Sequence, residues 1–387
     1  MRVCGATSKP AGRRNILRVA IVGCGKIADD HVAQIQRIPD CRIVGVCDSE
    51  PLMARQLAER FAVEHQSTAL GEMLAQARPD VVHITTPPQN HFAVGQRCLD
   101  HGCHIYVEKP FTIDEPEAKK LIARAEAKGL KVTVGHDDQF SQVARRMRSL
   151  IQSGCLGGTP VHMESYFCYD LSDPAYARAL LTNKEHWVRK LPGQLLHNII
   201  SHGVARIAEF LSGESLQVTA HGFVSPALKR LGETDLVDEL RVIISEDGGR
   251  TTAYFTFSSQ MRPQLHQFRI YGPANGLIVD QDNEAVIRLR GARFKSYADK
   301  FIPSLSFASQ YVRNFAKNSQ AFLRNDFHMK GGMKNLIESF YRSIVDGTPG
   351  PIPYREILLT AHIMDAIFVQ LRQQRELAGE PQVREAR

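Results

Sequence analysis

Lys109 closes a short apolar run, His104-Ile105-Tyr106-Val107, and stands between Glu108 and Pro110. A proline biases the residue before it away from the helical region, so Lys109 reads as held extended just past a strand. In an open parallel sheet, ligands bind outside the carboxyl ends of the strands. A lysine placed there can orient and polarise a hydroxyl or carbonyl oxygen, and Lys109 is the first catalytic candidate. The second is His202, on an apolar helical stretch from about Leu195 to Leu211 that Gly213 ends. Asn198 lies four residues earlier and therefore on the same face. An unperturbed histidine titrates near working pH and can act as a general base. Taken singly, a strand-end lysine is ordinarily solvated, and a histidine in so apolar a helix is ordinarily a satisfied core residue. A cofactor edge shared by both would make them reactive.

Such an edge is signalled by Gly23-Cys24-Gly25-Lys26-Ile27-Ala28, a Gly-x-Gly-x-x-Ala placed between the β-rich run Leu17 to Val22 and a helical pattern through Arg37. Gly23 allows the tight turn, Gly25 the close approach of a pyrophosphate, and Ala28 the packing of helix on strand. The pyrophosphate would rest on the helix N-terminus, where free N–H groups and the helix dipole favour negative charge. A second strand, Arg42 to Cys47, ends at Asp48, 23 positions after Gly25. A carboxylate there accepts hydrogen bonds from the ribose hydroxyls and repels a 2′-phosphate, which favours NAD over NADP. Thr86, Pro87, Asn90 and His91, in the loop after the strand Val81 to Ile84, fall on the same edge, as do Glu108 and Lys109.

These residues need a scaffold, and the alternation of runs supplies one. Strands and helices follow each other regularly from Leu17 to Val134, with a helix N-capped by Asp114 and ended by Gly129. The pattern implies a Rossmann-type, doubly wound parallel sheet over residues 16–137. Beyond it, runs with strand alternation follow one another: Val161 to Phe167, Leu216 to Val224, Glu239 to Ser245, Thr251 to Ser258, Gln264 to Tyr271, Leu277 to Asp280 and Ala285 to Leu289. Asp247-Gly248-Gly249 reads as a hairpin turn between two of them. Residues 138–387 are therefore expected to form an α+β domain with a large, mostly antiparallel sheet. One face of that sheet is free for a second subunit, in a homodimer or homotetramer. Two helices, Met333 to Val345 and Tyr354 to about Leu377, read as structural.

The chain of 387 residues carries a net charge of +7, too mild by itself to argue for nucleic acid. Its eight cysteines include no Cys-x-x-Cys and no group at zinc spacing, so neither a disulfide framework nor a metal site is expected, and the compartment reads as the cytoplasm. No apolar run approaches a membrane span. Residues 1–15 lack the apolar core of a secretory signal and read as a loose N-terminal extension. Residues 291–330 hold seven Lys/Arg against Asp299 and Asp326, together with eight aromatics: Phe294, Tyr297, Phe301, Phe307, Tyr311, Phe315, Phe322 and Phe327. Ala308, Tyr311, Val312, Phe315, Ser319, Phe322 and Leu323 share a helix face, which is expected to cover the sheet or meet another subunit, with a solvated basic face. The sharper alternatives are peripheral contact with an anionic membrane, or cover over a phosphorylated or nucleotide-linked sugar.

With the glycine loop, Asp48, the Thr86-Pro87 to His91 loop, Glu108-Lys109-Pro110, Gly154-x-x-Gly157, Ser201-His202 and Gly272 to Gly276 in place, the chain resembles the Gfo/Idh/MocA family of nicotinamide-dependent sugar and cyclitol oxidoreductases, from about Leu17 to Gln373. The resemblance implies that Lys109 holds the reacting oxygen beside the nicotinamide of NAD and that His202 relays its proton. It also implies that His186 and Trp187, in the Lys184 to Gln194 loop, frame a small carbohydrate substrate with Lys109, Asn198 and His202. The chain departs from the family's Asp-x-Gly-x-His-x-x-Asp, since Asn198, Ile200, His202 and Ala205 occupy those positions. An asparagine cannot stabilise an imidazolium by charge, which points to a weaker base or a different course of reaction. Redox-neutral cleavage on a tightly held NAD and non-catalytic NAD sensing are the competing expectations.

Overall fold

The computed structural model describes residues 16–169, 183–213, 215–291, 297–324 and 330–377. Six strands, β1 (Leu17–Val22), β2 (Cys41–Cys47), β3 (His65–Ser67), β4 (Val81–Ile84), β5 (His104–Val107) and β6 (Val132–Val134), alternate with helices α1 (Lys26–Ile35), α2 (Pro51–Phe61), α3 (Leu70–Ala77), α4 (His91–Asp100) and α5 (Glu115–Ala127). They form a parallel sheet in the order β3-β2-β1-β4-β5-β6, whose direction of winding switches between β1 and β4. The central strands are mostly apolar because helices cover both faces, with the buried His83 of β4 an exception. Ladder bonds continue past the strand ends. Gly23 N donates to Cys47 O (2.8 Å), Thr85 N to Val22 O (2.8 Å), Glu108 N to Ile84 O (2.9 Å) and Gly135 N to Val107 O (2.8 Å). Four loops thus leave the sheet along one edge, in register. Gly23 has φ +95°, and a Cβ there would lie 2.6 Å from Thr86 N, so the turn between β1 and α1 admits no side chain.

The second sheet is ordered β13-β12-β11-β7-β10-β9-β8. Its strands are β7 (His162–Phe167), β8 (Leu216–Phe223), β9 (Glu239–Glu246), β10 (Thr252–Ser258), β11 (His266–Tyr271), β12 (Asn275–Asp280) and β13 (Ala285–Arg290). All neighbours are antiparallel except β7 and β10. Gly248 and Gly249, both at positive φ, turn β9 into β10 as expected. The helices of this part are α6 (Gln142–Gln152), α7 (Gln194–Ile199), α8 (Ser201–Ala208), α9 (Pro226–Arg230), α10 (Ala298–Leu323), α11 (Gly331–Asp346) and α12 (Tyr354–Leu377).

Three features depart from the sequence expectation. The single helix foreseen from Leu195 to Leu211 is interrupted at Ile200, between α7 and α8. The division at residue 137 separates the sheets but not the cores: Met333, Leu336, Ile337, Phe340 and Tyr341 of α11 return to pack into the core of the first domain. Most consequential is α10, which does not cover the sheet with its apolar face. Its amide side chains meet the edge strand instead. Gln310 exchanges hydrogen bonds with the backbone of Arg288 (2.7 and 3.2 Å), Asn314 with that of Val286 (3.3 and 3.1 Å), and Asn318 Nδ2 donates to Glu284 O (3.1 Å). An edge strand presents unpaired N–H and C=O groups, and amides spaced four apart on a helix satisfy them where apolar side chains cannot. The apolar face is left pointing outward. Of the basic, aromatic segment, Arg293, Phe294, Lys295, Asp326 and Phe327 lie outside the described residues, as does the extension at 1–15.

Candidate active site

Gly25 caps the N-terminus of α1, and nothing lies within 4 Å of where its Cβ would be. A side chain would fill this open cradle, and a pyrophosphate can occupy it, with its charge on the helix terminus. Lys26 is exposed at its rim, Ile27 is half-buried, and Ala28 is fully buried against the strand. Asp48 Oδ2 accepts from Cys24 N (2.6 Å) and its Oδ1 from Glu50 N (2.9 Å), so the carboxylate ties the glycine loop to the end of β2. Each oxygen retains acceptor capacity for a ribose hydroxyl. Across the crevice, the buried Thr86 Oγ1 makes no hydrogen bond, while Pro87 and Asn90 are exposed. These residues fit a dinucleotide.

His91 has a different place from the one expected of it. It is fully buried, with Nδ1 2.9 Å from Pro110 O and Nε2 2.8 Å from Thr86 O. It staples the loops after β4 and β5 from inside, positioning Thr86 and the Lys109-Pro110 turn rather than facing the crevice. Glu108 is likewise buried. Its Oε1 lies 2.8 Å from His31 Nε2, and its Oε2 accepts from Lys109 N at 3.2 Å. Burial alone would raise its pKa, but the hydrogen bond and charge of His31 together with Lys109 bring it down to about 2. The chain of contacts continues from His31 Nδ1 to His83 Nδ1 (2.8 Å) and from His83 Nε2 to Tyr341 Oη (2.8 Å). One set of tautomers satisfies every link: Tyr341 O–H donates to His83, His83 Nδ1–H to His31, and His31 Nε2–H to the carboxylate. Replacing His31 by alanine would strand a buried carboxylate. We expect His31→Ala to cost about 3 kcal/mol, read as a lower urea midpoint at unchanged slope.

Lys109 Nζ donates to Asn198 O at 2.8 Å. The break between α7 and α8 at Ile200 follows directly after this contact. The loop of β5 is thereby joined to α7, the helix just before the one that carries His202. Burial pushes the Lys109 ammonium below its ordinary pKa, against the opposing charges of Glu108, Asp137 and Asp138. His202 Nδ1 lies 3.9 Å from Asp137 Oδ1 and 3.9 Å from Asp138 Oδ2, and makes no hydrogen bond. Burial, partly offset by Asp138, lowers the His202 pKa to about 4. His136, at 5.9 Å ring to ring from His202, is lowered to about 3, first by burial and then by His202. Asp138 also pairs with Arg206 Nη2 at 3.0 Å. Burial opposes its ionisation, but His202 and Arg206 keep its pKa low. Burial and the Asp138 charge push Asp137 up to about 8. Two carboxylates buried side by side disfavour a second negative charge, which is why the pair resists full ionisation.

Asp137, Asp138 and Arg206, beside His202, and His31, beside Glu108, were not among the residues expected from the sequence. Asp137 and Asp138 stand in the loop that leaves β6, after Gly135 and His136, and the strand-end rule that singled out Lys109 applies to them as well. The acid absent from positions 198 and 205 is supplied from this loop. Donor atoms of Asp137, Asp138 and His202 come within 4.8 Å of one another, but Arg206 already provides a cation there. His186 and Trp187 stack at 5.7 Å, and Gln89 Nε2 donates to Trp187 O at 3.0 Å. They lie against the loop after β4. Among the described residues, no recorded contact brings either to Lys109 or His202.

Residues 17–136 match the family model described as "Oxidoreductase family, NAD-binding Rossmann fold". Over these residues the chain is similar to the Gfo/Idh/MocA family. One curated relative is D-glucoside 3-dehydrogenase of Escherichia coli, 30% identical over 38% of this chain and 43% of its own length. Another, the uncharacterized oxidoreductase YrbE of Bacillus subtilis, is 24% identical over 78% of this chain and 84% of its own. The first curated relatives are matched over less than half of their length, 48% and 43%. Among solved structures, the WlbA dehydrogenase of Bordetella pertussis, in complex with NADH and UDP-GlcNAcA, shares the fold with a TM-score of 0.72 at 16% identity. The alignment covers 92% of this chain and 96% of that one.

Proposed function

We propose that this protein is an NAD(H)-dependent oxidoreductase that interconverts a secondary hydroxyl and a ketone on a sugar, a cyclitol or a nucleotide-linked sugar. The observation that carries this reading is the convergence of Lys109 and the His202–Asp137–Asp138 group at the carboxyl edge of the sheet that bears the glycine loop. The nicotinamide accepts or returns hydride when bound. Lys109 donates to the carbinol oxygen and favours negative charge on it. His202, neutral at working pH, takes the hydroxyl proton, and Asp138 stabilises the imidazolium that results. Asn198 orients Lys109 through its carbonyl, and Trp187 and His186 pack from the Lys184 to Gln194 loop against the loop after β4. The Escherichia coli relative is a D-glucoside 3-dehydrogenase and the WlbA dehydrogenase is in complex with UDP-GlcNAcA, which supports a pyranose-type substrate. The outer face of the second sheet, with Ile243 and Tyr254 half exposed, suits assembly of two or four copies.

The test is NADH formation across free sugars, cyclitols, sugar acids and nucleotide sugars. Turnover on one class supports the reading, and retention of NAD with product but no net NADH would move the assignment to redox-neutral cleavage. Cofactor choice has its own expectation. Asp48→Ser removes the carboxylate that repels a 2′-phosphate, and the preference for NADH over NADPH should shrink by at least about tenfold in a fluorescence titration. Unchanged preference would place discrimination elsewhere.

A further inference from the structure

Next to the Lys109-Pro110 turn lies a cavity of about 20 Å³, walled by the loop after β5, by His136, by His197 and Ser201 of α7 and α8, and by α12. Three side chains on its wall are almost fully buried: His136 and His197 are each 2% exposed and Ser201 1%. Each carries a polar atom without a hydrogen-bond partner, His136 Nε2, His197 Nδ1 and Ser201 Oγ. The other hydroxyls of the wall are already used, Thr112 Oγ1 donating to Asp114 O (2.7 Å) and Thr360 Oγ1 to Glu356 O (2.8 Å). A buried polar group left unpaired is costly, and three around one cavity point to a shared partner. A space of this size admits one water molecule and nothing larger, and a buried water makes about three hydrogen bonds. Volume and polar atoms therefore agree on the occupant.

The cavity borders the chemistry on one side and the surface on the other. Ser201 opens α8 directly before His202, and the His136 ring stands edge to face with that of His202, 5.9 Å between centres. In the reading proposed above, each oxidation leaves a proton on His202, while cofactor and substrate lie on the crevice side of that ring. The proton needs a second way out. His136 is the adjoining group that can take it, since burial and then the charge of His202 keep its imidazole neutral. Beyond the three unpaired atoms the wall ends at Asp114 and Asp365, both partly exposed. Asp365 Oδ2 accepts from Glu115 N and Asp114 Oδ1 from Glu117 N, each at 2.8 Å, which leaves every carboxylate a second oxygen as a proton acceptor.

We propose that this cavity holds one ordered water, bound by His136 Nε2, His197 Nδ1 and Ser201 Oγ, and that His136 and this water carry the proton from His202 to the surface at Asp114 and Asp365. The route rests on the assignment of His202 as the base. His136 takes the proton at one ring nitrogen as the His202 N–H bond breaks, passes the one at Nε2 to the water, and the water yields one to the carboxylates and to bulk solvent; no electrons move. A crystal structure of the full chain should show a water within about 3.2 Å of the three atoms. Ala361→Leu should expel it by filling the cavity from α12. Ser201→Ala removes one of its partners and adds no bulk, so it can be read wherever the larger variant fails to fold. His136→Asn removes the relay itself. In each variant kcat should fall roughly tenfold or more, short of the loss for the base itself. Their rates should also drop further in D2O than the wild-type rate does, because proton exit becomes limiting; a structural lesion would lower kcat and leave that ratio alone. NADH titration and thermal melts check that each variant is folded. No water at the three atoms overturns the proposal, as do variants with the wild-type kcat and the wild-type ratio of rates in H2O and D2O. Wild-type turnover in His202→Asn would instead remove the base, and the route with it, while the water is decided separately in the crystal.

Discussion

Lys109→Ala should lower kcat by about a thousandfold while NADH affinity changes only a few-fold. The ammonium is the cation that the structure aims from the sheet edge toward the second domain, 2.8 Å from Asn198 O. Burial weakens its hold on its proton, and the charges of Glu108, Asp137 and Asp138 offset that only in part. A donor set in this way is worth most when charge develops on the reacting oxygen, and less in binding the neutral alcohol. The loss should therefore fall on kcat more than on KM. Lys109→Arg should not rescue, because a planar guanidinium cannot reproduce a compact ammonium at the same distance from Asn198 O. Removing the Lys109 side chain also frees the Asn198 carbonyl, so thermal melts of each variant are needed beside the kinetics. A folded Lys109→Ala protein with turnover near wild type would remove lysine from the chemistry.

What could be read from the residues alone divides along physical lines. The doubly wound parallel sheet was legible because its central strands are mostly apolar and each is followed by a strong helix signal. β3 escaped notice because it is three residues of His-Gln-Ser on the edge, with no apolar pattern to show. The orientation of α10 was not legible. Periodicity reports that a helix has two faces, and normally the apolar one goes inward; here the demand of an open strand edge for amide partners outweighed it. The same limit applied to the partner of His202. Spacing along a helix identifies neighbours on that helix, and on that basis the histidine lacked an acid. Its carboxylates come from the β6 loop, more than sixty residues earlier, and only the packing of α8 against that loop brings them together.

That supply of acid leads to a prediction whose sign is fixed. His202→Ala should cost about a hundred- to ten-thousandfold in kcat, the usual range for a general base. The wild-type rate should be flat through pH 5 to 7 and fall at two ends. On the acid side the limb belongs to His202, lowered to about 4 by burial against the opposing charge of Asp138; below it the imidazole is protonated and cannot accept. On the alkaline side Asp137, raised to about 8 by burial and then by Asp138, loses its proton. A second carboxylate charge beside Lys109 then disfavours negative charge on the reacting oxygen. Asp138 raises both values, so Asp138→Asn should move both limbs toward lower pH. Arg206 would keep a neutral amide acceptor in place of its carboxylate, which makes the asparagine a gentler probe than alanine. The measurement is kcat against pH for wild type, Asp138→Asn and His202→Asn, the last of which should lack the acid limb altogether. A profile for Asp138→Asn that stays in place or moves toward higher pH would show that the β6 carboxylates do not govern proton transfer in this site.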